Sequence, residues 1–232
     1  MPYKKKIVYN KKQVEITINS DADESVFGEI FAEREYKMLE PAIMKAKNPI
    51  IDIGAHVGMF SVYCAVLNSD AKIFAYEPDE DNFEAMKDNL KDNNVKNVVA
   101  KNVAVGGKME SRTLYVSNDS HNHSLLSAEA AGDFSGEERD VNVVTLERIL
   151  EQNRLSKVSL VKMDCEGAEF EILENLSAAA FAAVENFYVE CHRYTFEMNP
   201  DKLRNIFQKN GFRVEMWSNH YDKRMGFIWA RR

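Results

Sequence analysis

"IIDIGAHVGMF", residues 50–60, decides how the rest of the chain is read. An almost wholly apolar run, Ile50 to Ile53, carries one carboxylate at Asp52 and ends at Gly54; Gly58 follows, and a second apolar stretch, "MFSVY", begins at once. A strand that ends in a glycine turn and opens a helix presents backbone N–H groups to a ligand. A dinucleotide fingerprint aligned through Gly54 requires glycines at 52 and 57, where this chain has Asp52 and Val57. The pattern is DxGxxxG instead, and about twenty residues further on a second run, "AKIFAYE", ends at Glu77.

An acidic residue at that strand tip accepts hydrogen bonds from both hydroxyls of an unphosphorylated ribose. A nucleoside without phosphate, bound over a glycine turn, points to S-adenosylmethionine. Gly54, Ala55, His56 and Gly58 then shape the place for its amino-acid end, Asp52 faces its ammonium, and Glu77 takes the ribose. Asn102 and Val103, at the end of the next strand, flank the adenine.

Outward from this stretch, short apolar runs alternate with amphipathic segments: "MFSVYCAVLN", "AKIFAYE", "DEDNFEAMKDNLKDN" and "VKNVVAKNVAV", then "KVSLVKMD", "VENFYVECH" and "DKLRNIFQKN". Such alternation builds βαβ units and a largely parallel, Rossmann-like sheet. The last two runs, "FRVEMWS" and "RMGFIWARR", pair antiparallel at the sheet end. Residues 1–48 read as an N-terminal hairpin and helical extension, with helical spacing interrupted at Pro41, and 49–232 as the catalytic domain. A polar stretch, residues 117–138, separates two strands and is long enough to be a candidate lid.

The chain has 232 residues, a formal net charge of −7 and three cysteines without a CxxC pair. The acidic balance argues against nucleic acid as partner, the lysines of "MPYKKKIVYNKKQ" being the one local exception, best read as an edge hairpin. No disulfide framework or metal set is visible, and no apolar stretch approaches membrane-spanning length, so the expectation is a cytoplasmic protein with no metal.

In "IIDIGAHVGMFSVY", "IFAYEPDEDNFEAMKDNL", "VVAKNVAV", "VNVVTLERIL", "LVKMDCEGAEFEIL" and "FYVECHRY", the chain resembles the FkbM-type S-adenosylmethionine-dependent methyltransferases, over residues 26 to 192. "KMDCEGAE" after "TLERIL" is the specific part; Glu147 stands where the family often has Asp. The resemblance implies a doubly wound, seven-stranded, mostly parallel sheet with S-adenosylmethionine along the carboxyl ends of its strands. It also implies O-methylation of a small-molecule or glycan hydroxyl. Methylation of RNA or protein, and a non-catalytic S-adenosylmethionine-binding module, are the alternatives.

Methyl transfer to oxygen needs alignment with the S–methyl bond and removal of one proton. Asp164 and Glu166, with Lys162 beside them, are placed to orient cofactor or acceptor. Glu190 and His192 share a strand face, and the base is drawn from Asp164, Glu190 or His192. Glu169 opens the next helix. His121 and His123 lie in the long loop, an HxH pair with no further ligands at metal spacing.

Overall fold

In the computed structural model, which describes residues 1–219 and 224–232, the opening strand lies near the middle of a seven-stranded sheet. The chain starts with a hairpin, β1 (Tyr3–Tyr9) and β2 (Lys12–Ile18), joined by Asn10 and Lys11 at φ 46° and 62°. That left-handed pair matches the twist of two strands joined by a two-residue turn. Ser20 caps α1 (Asp21–Phe27) in a reciprocal capping box with Asp23. A π-helical turn (Gly28–Glu33), a 3₁₀ turn (Glu35–Leu39) and α2 (Glu40–Met44) follow. Pro41 sits in the first turn of α2 and so begins a helix rather than interrupting one, because no intrahelical partner is needed there for the N–H it lacks. The break in the expected helix falls instead at Arg34, at φ 59°.

The core then runs β3 (Ile50–Ile53), α3 (Met59–Leu67), β4 (Ile73–Tyr76), α4 (Glu80–Asp92) and β5 (Val98–Lys101). A side sheet follows, made of β6 (Ala104–Val105), β7 (Glu110–Ser117) and β8 (Phe134–Val144). After α5 (Leu146–Gln152) come β9 (Leu160–Met163), α6 (Ala168–Asn175), α7 (Ala178–Ala183) and β10 (Asn186–His192). α8 (Pro200–Lys209), β11 (Arg213–Ser218) and β12 (Met225–Arg231) complete it. The main sheet has the order β11-β12-β10-β9-β3-β4-β5, with its last five strands parallel and β12 antiparallel to both neighbours. The seven-stranded, mostly parallel α/β class expected from the sequence is the one observed.

β3, β4 and β9 are buried along their whole length, which is why they read as nearly continuous apolar runs: helices cover both faces. Alternate residues serve two cores. Ile50, Ile73 and Ala75 face α3 and the N-terminal segment, while Ile51, Ile53, Phe74 and Tyr76 face the cluster built with α5 to α8. By the same parity Asp52 points to the α3 side. Almost every residue of α3 is buried, since the N-terminal segment covers the flank that would otherwise meet water. Tyr9 lies 5.3 Å from Tyr63 and Tyr36 4.8 Å from Phe60, ring centre to ring centre.

The side sheet was not foreseen. β8 begins at Phe134, five residues before the strand expected at Arg139, and pairs antiparallel with β7. Its charged, alternating face carries little hydrophobic signal. Among the described residues, no helix is long and apolar enough to cross a membrane.

Candidate active site

The carboxyl ends of β3, β4, β9 and β10 open into one cavity of about 1060 Å³. Gly54, at φ 73°, ends β3 so close to the next strand that a Cβ there would lie 1.6 Å from the Asp164 carbonyl oxygen. The closeness is held by hydrogen bonds: Asp164 N–H donates to Ile53 O at 3.1 Å, and Gly54 and Ala55 N–H both donate to Tyr76 O at 3.1 and 3.0 Å. Gly58, at φ 82°, starts α3 where a Cβ would lie 2.6 Å from Met86 Cγ. It allows the α3–α4 contact and does not line the cavity.

Glu77 closes the turn from the side. Its Oε2 accepts from His56 N–H at 2.8 Å and its Oε1 from Asp79 N–H at 3.0 Å. It is only 5% exposed, and burial pushes its carboxyl up to about 7 against the pull of those two donors. His56 is buried too, and burial followed by His121 and His123 holds its imidazole down to about 3. Its Nε2 lies 3.1 Å from Ser120 Oγ and 3.4 Å from Asp23 Oδ1. The 117–138 stretch therefore rests on the turn: Asn82 Nδ2 donates to Ser120 O at 2.8 Å, and Arg139 bonds Asp79 at 2.5 Å.

Across the cavity stand the groups of β9 and β10. Lys162 Nζ donates to Gly54 O at 2.9 Å and lies 3.2 Å from Asp164 Oδ2 and 3.6 Å from Asp52 Oδ1. Burial would lower its ammonium pKa, but Asp164, Asp52 and Glu190 outweigh that and raise it. Burial likewise opposes the lowering of Asp164, which Lys162 and His192 bring about. His192, 5% exposed, has Nδ1 3.3 Å from Glu169 Oε1 and Nε2 3.5 Å from Glu166 Oε1 and 3.9 Å from Glu190 Oε1. Burial works against its charged form, yet Glu166, Glu169 and Glu190 carry its pKa well above the ordinary value. Glu190 is itself raised well above the usual carboxylate range by burial and then Asp164. Burial pushes Glu166 up to about 7.

Glu169 caps its own turn. Its two oxygens accept from Cys165 N–H at 2.8 Å and Gly167 N–H at 3.0 Å, so it supports the loop and His192 from behind rather than facing the cavity.

Gly54, Ala55, His56, Glu77, Asp164, Glu166, Glu190 and His192 all line the cavity. Asp52, Asn102 and Val103 do not, and the contacts expected of them are corrected here. Strand parity turns Asp52 under the floor, where it accepts from Ser61 Oγ at 2.7 Å and is wholly buried. Asn102 donates to Glu77 O at 3.0 Å and Pro78 O at 2.9 Å, bracing the strand tip. The chain leaves the main sheet at Val103, and Ala104 and Val105 of β6 supply the wall in its place.

Sequence reasoning missed Tyr194, which stacks on His192 at 6.2 Å and 11° and donates its hydroxyl to Glu166. It also missed the rim from the N-terminal segment, Glu29, Glu35 and Tyr36 among others. Burial, then Glu29 and Asp164, push Glu35 up to about 7. Nothing local in the sequence marks a segment so far from the glycine turn as part of the same cavity. Three of the hairpin's lysines are engaged: Lys4 pairs with Glu15 at 2.7 Å and Asp92 at 2.8 Å, Lys6 with Glu15 at 2.5 Å, and Lys5 with Glu24.

Comparison with known proteins gives a consistent result. A family model, the methyltransferase FkbM domain, matches residues 52–214. The "AMB antimetabolite synthetase AmbE" of Pseudomonas aeruginosa is 23% identical over 240 residues, covering 86% of this chain and 11% of that protein. "Methyltransferase 1" of Beauveria bassiana is 27% identical over 183 residues, covering 72% of each. This chain thus spans about a tenth of the first relative's length and under three quarters of the second's. Among solved structures, the methyltransferase FkbM of Methylobacillus flagellatus KT superposes with a TM-score of 0.53 at 16% identity. The match covers 78% of this chain and 43% of that one.

Proposed function

The chain belongs to the FkbM methyltransferase family, with S-adenosylmethionine as its methyl donor, and we propose that it methylates a hydroxyl oxygen of a small molecule or saccharide. The observation that carries this reading is that one cavity is lined both by the Gly54–Glu77 cradle and by the ring of Lys162, Asp164, Glu166, Glu190 and His192. Its volume, about 1060 Å³, reaches the upper end of what single-ligand pockets span, which leaves room for a donor and a modest acceptor together.

When bound, S-adenosylmethionine supplies an electrophilic methyl on sulfonium. The N–H groups of Gly54, Ala55 and His56 are spent on Tyr76 O and Glu77 Oε2, so the turn would seat the amino-acid end by its shape, while Glu77 would accept the ribose hydroxyls on the two lone pairs left beyond those given to His56 and Asp79. An alcohol oxygen attacks the methyl only as its proton leaves, so a base must stand beside it. Asp164, Glu190 and His192 ring that place. Lys162 engages Asp164 at 3.2 Å and Glu169 engages His192 at 3.3 Å, which leaves Glu190 the least engaged of the three as acceptor. Lys162 fixes Asp164 and the end of β3 in one position, which orients the groups without ordering them anew for each turnover.

The test is a labelled-methyl transfer screen over hydroxylated acceptors, with His192→Ala and Asp164→Ala as controls. Transfer lost in both variants supports the reading. Tight S-adenosylhomocysteine binding with no acceptor methylated would favour a non-catalytic module instead.

A further inference from the structure

Among the described residues, one set of side chains brings three potential metal ligands together: Asp164, Glu190 and His192, whose ligating atoms all lie within 4.8 Å of one another. We propose that these three residues bind a divalent cation, which holds and acidifies the acceptor oxygen.

The arrangement follows from the fold. Asp164 stands just past the end of β9, and Glu190 and His192 are alternate residues at the end of β10, on one face of the neighbouring parallel strand. The three cannot be recognised by spacing in sequence, because the sheet rather than a loop brings them together. Metal–ligand bonds of about 2.0 to 2.2 Å in a tetrahedral arrangement place ligand atoms about 3.3 to 3.6 Å apart. Side-chain rotations that bring the three groups together by about an ångström would therefore close the set around an ion.

Two observations separate this set from a chance cluster of acids. First, His192 is held as metal-binding histidines are held: Nδ1 faces Glu169 Oε1 at 3.3 Å, and Glu169 is itself fixed by the Cys165 and Gly167 N–H groups. Second, Nε2 of this 5% exposed imidazole stands at the cavity wall without a hydrogen bond among the described residues, its near neighbours being Glu166 Oε1 at 3.5 Å and Glu190 Oε1 at 3.9 Å. Glu190, whose side chain is 13% exposed, likewise forms no hydrogen bond among the described residues.

The local charge agrees. Asp164 faces Lys162 through Oδ2 at 3.2 Å, which leaves it a second oxygen, while Glu166, Glu169 and Glu190 surround His192 at 3.5, 3.3 and 3.9 Å. One nitrogen and two carboxylates suit Mn²⁺, Fe²⁺ or Zn²⁺ better than Ca²⁺, and three protein ligands leave positions open on the cavity side. An acceptor with two adjacent oxygens, such as a vicinal diol or an α-hydroxy acid, fits those positions. The ion would lower the hydroxyl pKa, the proton passing to solvent or a neighbouring carboxylate as the O–methyl bond forms and the S–methyl bond breaks. The acceptor class rests on the methyl-transfer reading; the metal site does not.

The test uses the full chain, treated with EDTA and freed of it, and titrated with MnCl₂ while free Mn²⁺ is followed by electron paramagnetic resonance. The expected result is one saturable site per chain. Glu190→Gln and His192→Gln, each checked for folding by thermal melting, should weaken it at least about a hundredfold, and Glu169→Gln about ten- to a hundredfold. His121→Gln, in the loop's HxH pair, should leave Mn²⁺ binding unchanged. No saturable binding up to millimolar Mn²⁺, or binding that survives Glu190→Gln and is lost in His121→Gln, would overturn the proposal. If Mn²⁺ binds as described and no hydroxylated acceptor is methylated, the site stands and the reaction assignment fails. Methyl transfer undiminished in EDTA by a protein that binds no Mn²⁺ has the opposite meaning.

Discussion

Replacing Gly54 and Gly58 by alanine, one at a time, separates two effects that glycine motifs usually combine. Both residues have left-handed φ values, 73° and 82°, so both variants carry the same backbone penalty of about 1–2 kcal/mol. They differ in what the new methyl meets. At Gly54 it would lie 1.6 Å from the Asp164 carbonyl oxygen, and reaching an ordinary 3.4 Å contact requires β3 and β9 to part by 1.8 Å. That parting breaks the Asp164 N–H to Ile53 O bond and the Lys162 Nζ to Gly54 O bond. At about 1 kcal/mol for the neutral bond and about 2 for the charged one, Gly54→Ala should cost about 4 to 5 kcal/mol in all. At Gly58 the obstacle is the flexible Met86 side chain, 2.6 Å away at Cγ, which can turn aside, so Gly58→Ala should cost about 1 to 3 kcal/mol. Urea denaturation followed by circular dichroism measures both, and calorimetric titration with S-adenosylhomocysteine reads the cradle. Equal losses in the two variants, or Gly54→Ala binding like the wild type, would refute the reasoning.

Glu77→Gln should weaken S-adenosylhomocysteine about ten- to a hundredfold, because ribose hydroxyls bond a carboxylate about 1.5–3 kcal/mol more strongly than they would go unpaired; isothermal calorimetry at pH 8 measures it. The same group sets a pH dependence. Its folded pKa of about 7 lies above the ordinary 4.5, so the stability it contributes is complete below 4.5 and is lost as pH rises through 7. The loss amounts to about 3 kcal/mol, and the wild type should show it in urea melts between pH 5 and 8 where Glu77→Gln does not. Ser61→Ala takes from Asp52 its 2.7 Å hydrogen bond in a fully buried position and should cost about 1–3 kcal/mol, with S-adenosylhomocysteine affinity little changed because Asp52 lies beneath the cavity.

The parallel core was legible because burial on both faces of β3, β4 and β9 writes itself as short apolar runs alternating with helices. The bend at Gly54 and the place of Glu77 at its strand tip on the cavity wall were legible for a related reason: both depend on backbone conformation and strand position, which local sequence dictates. Which way Asp52 points was less accessible, since one residue of parity decides between cavity and α3, and only the partner Ser61 reveals it. The side sheet was hidden by the polarity of β8, a strand whose exposed face is charged along most of its length. The N-terminal rim was hidden by distance along the chain, and Tyr194 by the turn past β10 that folds it back onto His192 and Glu166.

The N-terminal segment that covers α3 also has a bearing on how this protein can diverge. The match to the family begins at residue 52, whereas Glu29, Glu35 and Tyr36 belong to the wall of the same cavity. Around Gly54 the wall is set by backbone contacts that leave no room for a side chain. Glu29 and Glu35, half-buried on the π and 3₁₀ turns, stand apart from the aromatic packing that holds Tyr36 on Phe60. Drift confined to Glu29 and Glu35 would thus reshape the cavity's rim while leaving the Gly54 turn intact, much as interchangeable jaws fit a fixed chuck.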